Sequence, residues 1–228
     1  MASVINAQST GAGGLVYTGD SSGVLALQAA GATKVSISST GTTFTGSVIS
    51  NGGGSVSDNT AFGTSALNAN TTGNYLTAIG TNALASNTTG NQNVAIGFNA
   101  GMTNQQTRSI AIGHQALCAN TAGSANIGIG FNALRDNATG ANNLAIGSST
   151  LQGNTTGCYN VAVGNFALCV NTIGIYNVAV GYSALAANIT GVHNIAVGGQ
   201  ALAANTCGCF NVAVGGSALT ALTVGYNN

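Results

Sequence analysis

Charge is almost missing from this chain. Of 228 residues, three are Lys or Arg and three are Asp or Glu, so charged residues make up 3%, against roughly 25% in an ordinary globular domain. There is no glutamate and no proline. Zero net charge removes electrostatic steering, and without a basic stripe to follow a phosphate backbone no nucleic-acid partner is expected. The acidic residues Asp20, Asp58 and Asp136 and the histidines His114 and His193 are thinly scattered. They assemble no paired carboxylates, nucleophile–base pair or metal cluster, so no enzyme and no cofactor are expected. The five cysteines (Cys118, Cys158, Cys169, Cys207, Cys209) fit no zinc spacing and read as small buried or turn-filling thiols. Long apolar runs are absent too, so no membrane insertion is expected. The opening MASVINAQSTGAGGLVYTGD has neither a basic n-region nor a long apolar h-region, which points to assembly in a cytoplasm rather than secretion.

What the chain has instead is a repeated phrase. Hydrophobic residues reach 45% and glycine numbers 35, so low hydrophobicity does not force disorder. NTTGNQNVAIGFNA at 87–100 returns as NTTGCYNVAVGNFA at 154–167. The glycine closing each NVAIG-like phrase falls at 63, 80, 97, 113, 130, 147, 164, 181, 198 and 215, seventeen apart except for one step of sixteen. The missing residue belongs to TNQQTRS (103–109). A turn absorbs a deletion; a strand does not, because every later side chain changes face. One unit therefore reads N-V-A-I-G-x-x-A-L-x-x-N-T-T-G-x-x, with NTTG in a turn.

β-branched residues alternate at the second position (Val94, Val161, Val178) and the fourth (Ile96, Val163, Val180) around a tiny third residue. Period two predicts a strand. The second and fourth positions are expected to point inward and the third outward. A second short strand around Ala-Leu (Leu67, Leu84, Leu117 and their successors) is expected to form the opposite wall. About ten coils of 17 residues then make an all-β parallel solenoid at residues 57–228.

The outward third position holds Ala61, Ala78, Ala95, Ala111, Gly128, Ala145, Ala162, Ala179, Ala196 and Ala213. Small residues permit close backbone approach, so this column is expected to be the interface of a homotrimer. The twelfth position holds Asn70, Asn87, Asn104, Asn120, Asn137, Asn154, Asn171, Asn188 and Asn205, expected as a structural ladder of stacked amides. Tyr75, Tyr159, Tyr176, His193 and Phe210 share the position before the first Asn. Two readings stay open for them: contacts to a surface glycan, or a seal at the edge of the core. Tyr182, at position six with Phe98, His114 and Phe131, is a further candidate glycan contact. Threonine columns in NTTG raise an ice-binding reading, which Ala122, Ala138, Ile173, Ile189 and Cys207 interrupt.

The phrases NVAIG (93–97), NIGIG (126–130) and NIAVG (194–198), each followed by x-x-A-L, resemble the head repeats of YadA-like trimeric adhesins. They resemble equally the similar repeats of phage fibre proteins. The resemblance covers roughly residues 57–225 and implies a left-handed, homotrimeric parallel β-roll serving as a stalk or adhesive head. The bacterial adhesins use a shorter repeat, a secretion signal and a membrane anchor, so the phage branch is favoured. The expected role is a non-enzymatic structural subunit of a virion fibre or appendage that contributes to host attachment. The alternative is a glycan-binding adhesin, extracellular or on a cell surface.

Residues 1–50 do not repeat. GVLALQA (23–29), TKVSIS (33–38) and TTFTGSVIS (42–50) are strand-like and resemble the small β modules that begin many phage fibre proteins. Some fifty residues are marginal for a core of their own. This module is expected to attach to other virion proteins, with 51–56 (NGGGSV) as a glycine-rich joint.

Overall fold

The computed structural model describes residues 58–228, and before them the backbone of four strands. Ten three-residue strands repeat along the described chain: β5 (Thr60–Phe62), β6 (Thr77–Ile79), β7 (Val94–Ile96), β8 (Ile110–Ile112), β9 (Ile127–Ile129), β10 (Leu144–Ile146), β11 (Val161–Val163), β12 (Val178–Val180), β13 (Ile195–Val197) and β14 (Val212–Val214), numbered after the four strands given below. They form one sheet in sequence order, each parallel to its neighbours. About nine turns of some 17 residues wind through them, without a helix among the described residues. At about 4.8 Å per coil the sheet is on the order of 45 Å long.

Register is constant along the whole length. Ala145 pairs with Ala162, and Ala162 with Ala179. Across the short repeat Val94 still pairs with Ile110 and Ala95 with Ala111. The deletion therefore sits in the turn, as its position in TNQQTRS requires, and no strand slips.

The sides of the strand are the reverse of the sequence expectation. The third position points inward: Ala78, Ala95, Ala145, Ala162, Ala179 and Ala196 are fully buried, as are the leucines of the opposite wall from Leu67 to Leu202. The second and fourth positions face outward and are half-buried or exposed in every strand. The reason is the width of the coil. Opposed to a leucine, the third position has room for little more than a methyl group; a Cβ placed on Gly128 would lie 3.3 Å from Leu117 Cγ. Valine and isoleucine do not fit there and take the outer face. The column from Ala61 to Ala213, Gly128 included, thus has no surface to offer a second chain, and the trimer interface expected there is corrected.

The opposite wall is also not a strand. Residues around each Ala-Leu form turns, with Leu67, Leu117 and Leu168 at φ of 51°, 50° and 51°. A left-handed residue cannot continue an extended strand. Each turn closes on itself, as in Asn70 N donating to the Leu67 carbonyl at 3.2 Å, and also bonds to the next coil, as in Leu67 N to Ala83 O at 3.0 Å. The glycine after each strand has φ between 124° and 138°, and a Cβ on Gly63 would stand 2.6 Å from the Gly80 carbonyl carbon. Stacking and dihedral together exclude any side chain at that corner.

The remaining polar core is amide. In the twelfth-position column Asn137 Nδ2 donates to Asn120 Oδ1 at 2.8 Å and Asn154 Nδ2 to Asn137 Oδ1 at 2.7 Å, and the column is buried throughout. A second buried column occupies the first position of the phrase. Asn177 N and Nδ2 both donate to Asn160 Oδ1, at 3.0 and 3.2 Å. The two columns converge on the NTTG glycine: Asn143 and Asn154 both donate to the Gly157 carbonyl, at 2.8 and 2.9 Å. Most of these buried amides are paired, Asn87 Oδ1 and Asn205 Oδ1 being exceptions, and the paired columns act as the scaffold of the turn.

In the N-terminal region β1 (Leu25–Ala29), β2 (Ala32–Ser38) and β3 (Gly41–Phe44) form an antiparallel three-stranded sheet. β4 (Ile49–Ser50) pairs antiparallel with β5. The joint at 51–56 and the rest of the first 57 residues lie outside the described residues.

Candidate functional site

Three surfaces of the solenoid carry side chains that the core does not use. The first is the outer face of the sheet. Its second and fourth positions run from Thr60 and Phe62 to Val212 and Val214, and beyond the threonines Thr60 and Thr77 every one is apolar. Ile79, Ile96, Ile146, Val180, Ile195 and Val197 are among the exposed large hydrophobics. The face has no charge and no break along ten strands.

The second surface is the corner before the strand. Tyr159, Tyr176, His193 and Phe210 stand there in four successive coils, each with φ between 56° and 58°. Their rings stack almost parallel, with centroids 4.9, 4.9 and 5.0 Å apart and planes 4°, 7° and 6° from one another. The spacing is that of the coils themselves. The sealing role is corrected: the rings are exposed, because they lie on the outer side with the second and fourth positions. The stack also limits what they can hold. Within it each ring face is covered by the next ring, leaving edges, the Tyr hydroxyls and the two terminal faces. A sugar ring that needs an open aromatic face finds none in the middle of the stack. At position six His114 is stacked between Phe98 and Phe131, at 5.2 Å from each. Tyr182 meets Phe166 edge-on at 6.1 Å.

The third surface is the same corner three to five coils earlier. Tyr75 is 63% exposed and has no ring partner among the described residues. With Asn74, Asn91, Gln92, Thr107 and Arg108 it lines an open groove of about 410 Å³. Sequence reasoning found Tyr75 but missed Arg108, whose position matches Tyr75 only once the one-residue deletion is counted. Arg135 is engaged bidentately by Asp136, at 2.7 and 2.8 Å. Arg108 makes no such pair among the described residues.

The threonines of the turn donate to the next coil, as Thr155 Oγ1 does to the Thr172 carbonyl at 3.0 Å. Burial pushes the thiols of Cys118 and Cys169 upward. No group of His, Cys, Asp or Glu that could hold a metal ion occurs among the described residues. No family model, no curated protein and no solved structure matches the chain.

Proposed function

We propose that the chain is a structural, non-enzymatic subunit of a virion fibre or appendage, built as a homotrimer of left-handed rolls joined through the outer sheet face. The observation that carries this reading is that face. Its strip is on the order of 45 Å by 15 Å, or roughly 700 Å² per chain, near the roughly 800 Å² per partner of a stable interface. An apolar strip of this size on a lone soluble chain is an aggregation liability. Its natural cover is another copy, because identical rods in parallel present β-branched rows at the same spacing and interdigitate without burying a charge. Three copies around one axis hide the strip and leave the amide and hydroxyl turns in water. The virion assignment draws its support from the resemblance of the NVAIG-x-x-A-L phrases to phage fibre repeats, with the N-terminal strands as the attachment end.

Light scattering on the purified protein tests the assembly. The expected mass is about three times the 22.0 kDa of one chain. Val161→Arg with Val178→Arg should return it to a folded monomer, since both side chains point outward. A monodisperse monomer for the unmodified chain overturns the reading. Labelled antibody on intact particles tests the virion placement, and absence of labelling from appendages overturns it.

A further inference from the structure

We infer that the groove at Tyr75 and Arg108 is a binding site for a carboxylate-bearing saccharide. Tyr75, Gln92 and Arg108 occupy the same corner of three consecutive coils and share φ of 57°, 58° and 61°. The backbone ties them together: Gln92 N donates to Asn74 O at 2.9 Å and Arg108 N to Asn91 O at 3.1 Å. From Tyr75 to Arg108 is two coil steps, about 10 Å, the reach of two linked pyranose rings.

Each member supplies one part of the recognition of an acidic sugar. Tyr75 offers what the stacked rings lack, a ring with no aromatic neighbour, on which the apolar face of a pyranose can lie. Asn91 Oδ1 is already held by Asn74 N at 2.8 Å, so the Asn91 NH₂ is left to donate to hydroxyl oxygens. Gln92 both donates and accepts. The Arg108 guanidinium, free of any acidic partner among the described residues, presents a fork that matches a carboxylate. A neutral chain with a single unpaired guanidinium in the groove suits one carboxylate, not a polyanion.

This inference deepens the attachment part of the proposed function, yet it needs only one chain. A trimer that fails to bind would overturn the groove alone, and a monomer that binds would overturn the trimer alone. The experiment is isothermal titration of the full chain with sialyllactose and with an aldobiouronic acid, each carrying a single carboxylate, and each against its methyl ester, which removes the charge. At least one acid should bind, with its ester about tenfold weaker or more. Arg108→Gln should remove that difference, and Tyr75→Ala should weaken acid and ester alike, with circular dichroism and mass unchanged in both variants. The comparison of acid with ester on the unmodified chain requires no variant to fold. No binding of either acid at millimolar concentration, equal binding of acid and ester, or full binding by Arg108→Gln overturns the proposal.

Discussion

Gln105 Oε1 accepts a hydrogen bond from Thr88 N at 3.0 Å and another from Thr88 Oγ1 at 2.8 Å. One coil earlier, Thr71 N and Thr71 Oγ1 both find the backbone carbonyl of Thr88, each at 2.9 Å. Where the repeat has lost a residue, a glutamine side chain thus stands in for a missing main-chain acceptor. Gln105→Ala should destabilise the fold by about 1–2 kcal/mol, because the Thr88 donors lose their partner. Gln92→Ala, an exposed glutamine in the preceding coil, should change little. Urea unfolding of both variants makes the comparison.

The amide columns should be far less tolerant than any surface residue. Asn160 donates to Asn143 Oδ1 at 3.2 Å and to Gly174 O at 2.8 Å, while its Oδ1 accepts twice from Asn177. Asn160→Ala strands several buried groups at once and should cost about 3 kcal/mol or more. The midpoint of thermal unfolding, set against that of Asn142→Ala at the exposed corner just before Asn143, reads the difference.

Removing one whole unit, residues 143–159, should leave a folded and shorter solenoid, because Asn142 then leads into Asn160 with every register intact. Deleting Ala162 alone should abolish folding, since it turns Val163 toward a lumen that has room only for a methyl group. Circular dichroism and solubility of the two proteins decide it; equal damage would sink the account of the coil.

Thiol chemistry offers a check on burial. Desolvation raises the Cys118 thiol, with Arg135 opposing and Asp136 adding to it, and desolvation is also the main cause at Cys169. A raised pKa means less thiolate near neutrality. Both residues should therefore alkylate more slowly at pH 7 than a free cysteine, and should gain rate as the pH climbs past 9. Mass mapping after iodoacetamide gives the site-resolved rates. Alkylation as fast as free cysteine at pH 7 would contradict the packing around them.

The period was legible in the sequence because stacking demands it. A glycine whose Cβ would strike the next coil can be nothing else, so Gly63, Gly80 and their successors mark the repeat. An amide that bonds its own copy one coil away must recur in register, which made the column from Asn70 to Asn205 visible. The place of the deletion followed from the same logic, since strand register cannot slip. What the tertiary structure decided was direction. Alternation shows that Val161 and Val163 lie on one side of the strand and Ala162 on the other, but not which side is the lumen. The leucines settle that: Leu168 and its equivalents, folded back in left-handed turns, fill the coil and leave space for a methyl group opposite. The same choice put Tyr159, Tyr176, His193 and Phe210 outside, turned a column of alanines into core, and made the valine and isoleucine columns the outer face of the sheet. Sequence determines period and parity because they are properties of neighbours along and between coils. The inside of a coil is a property of its width, and width exists only once both walls are in place.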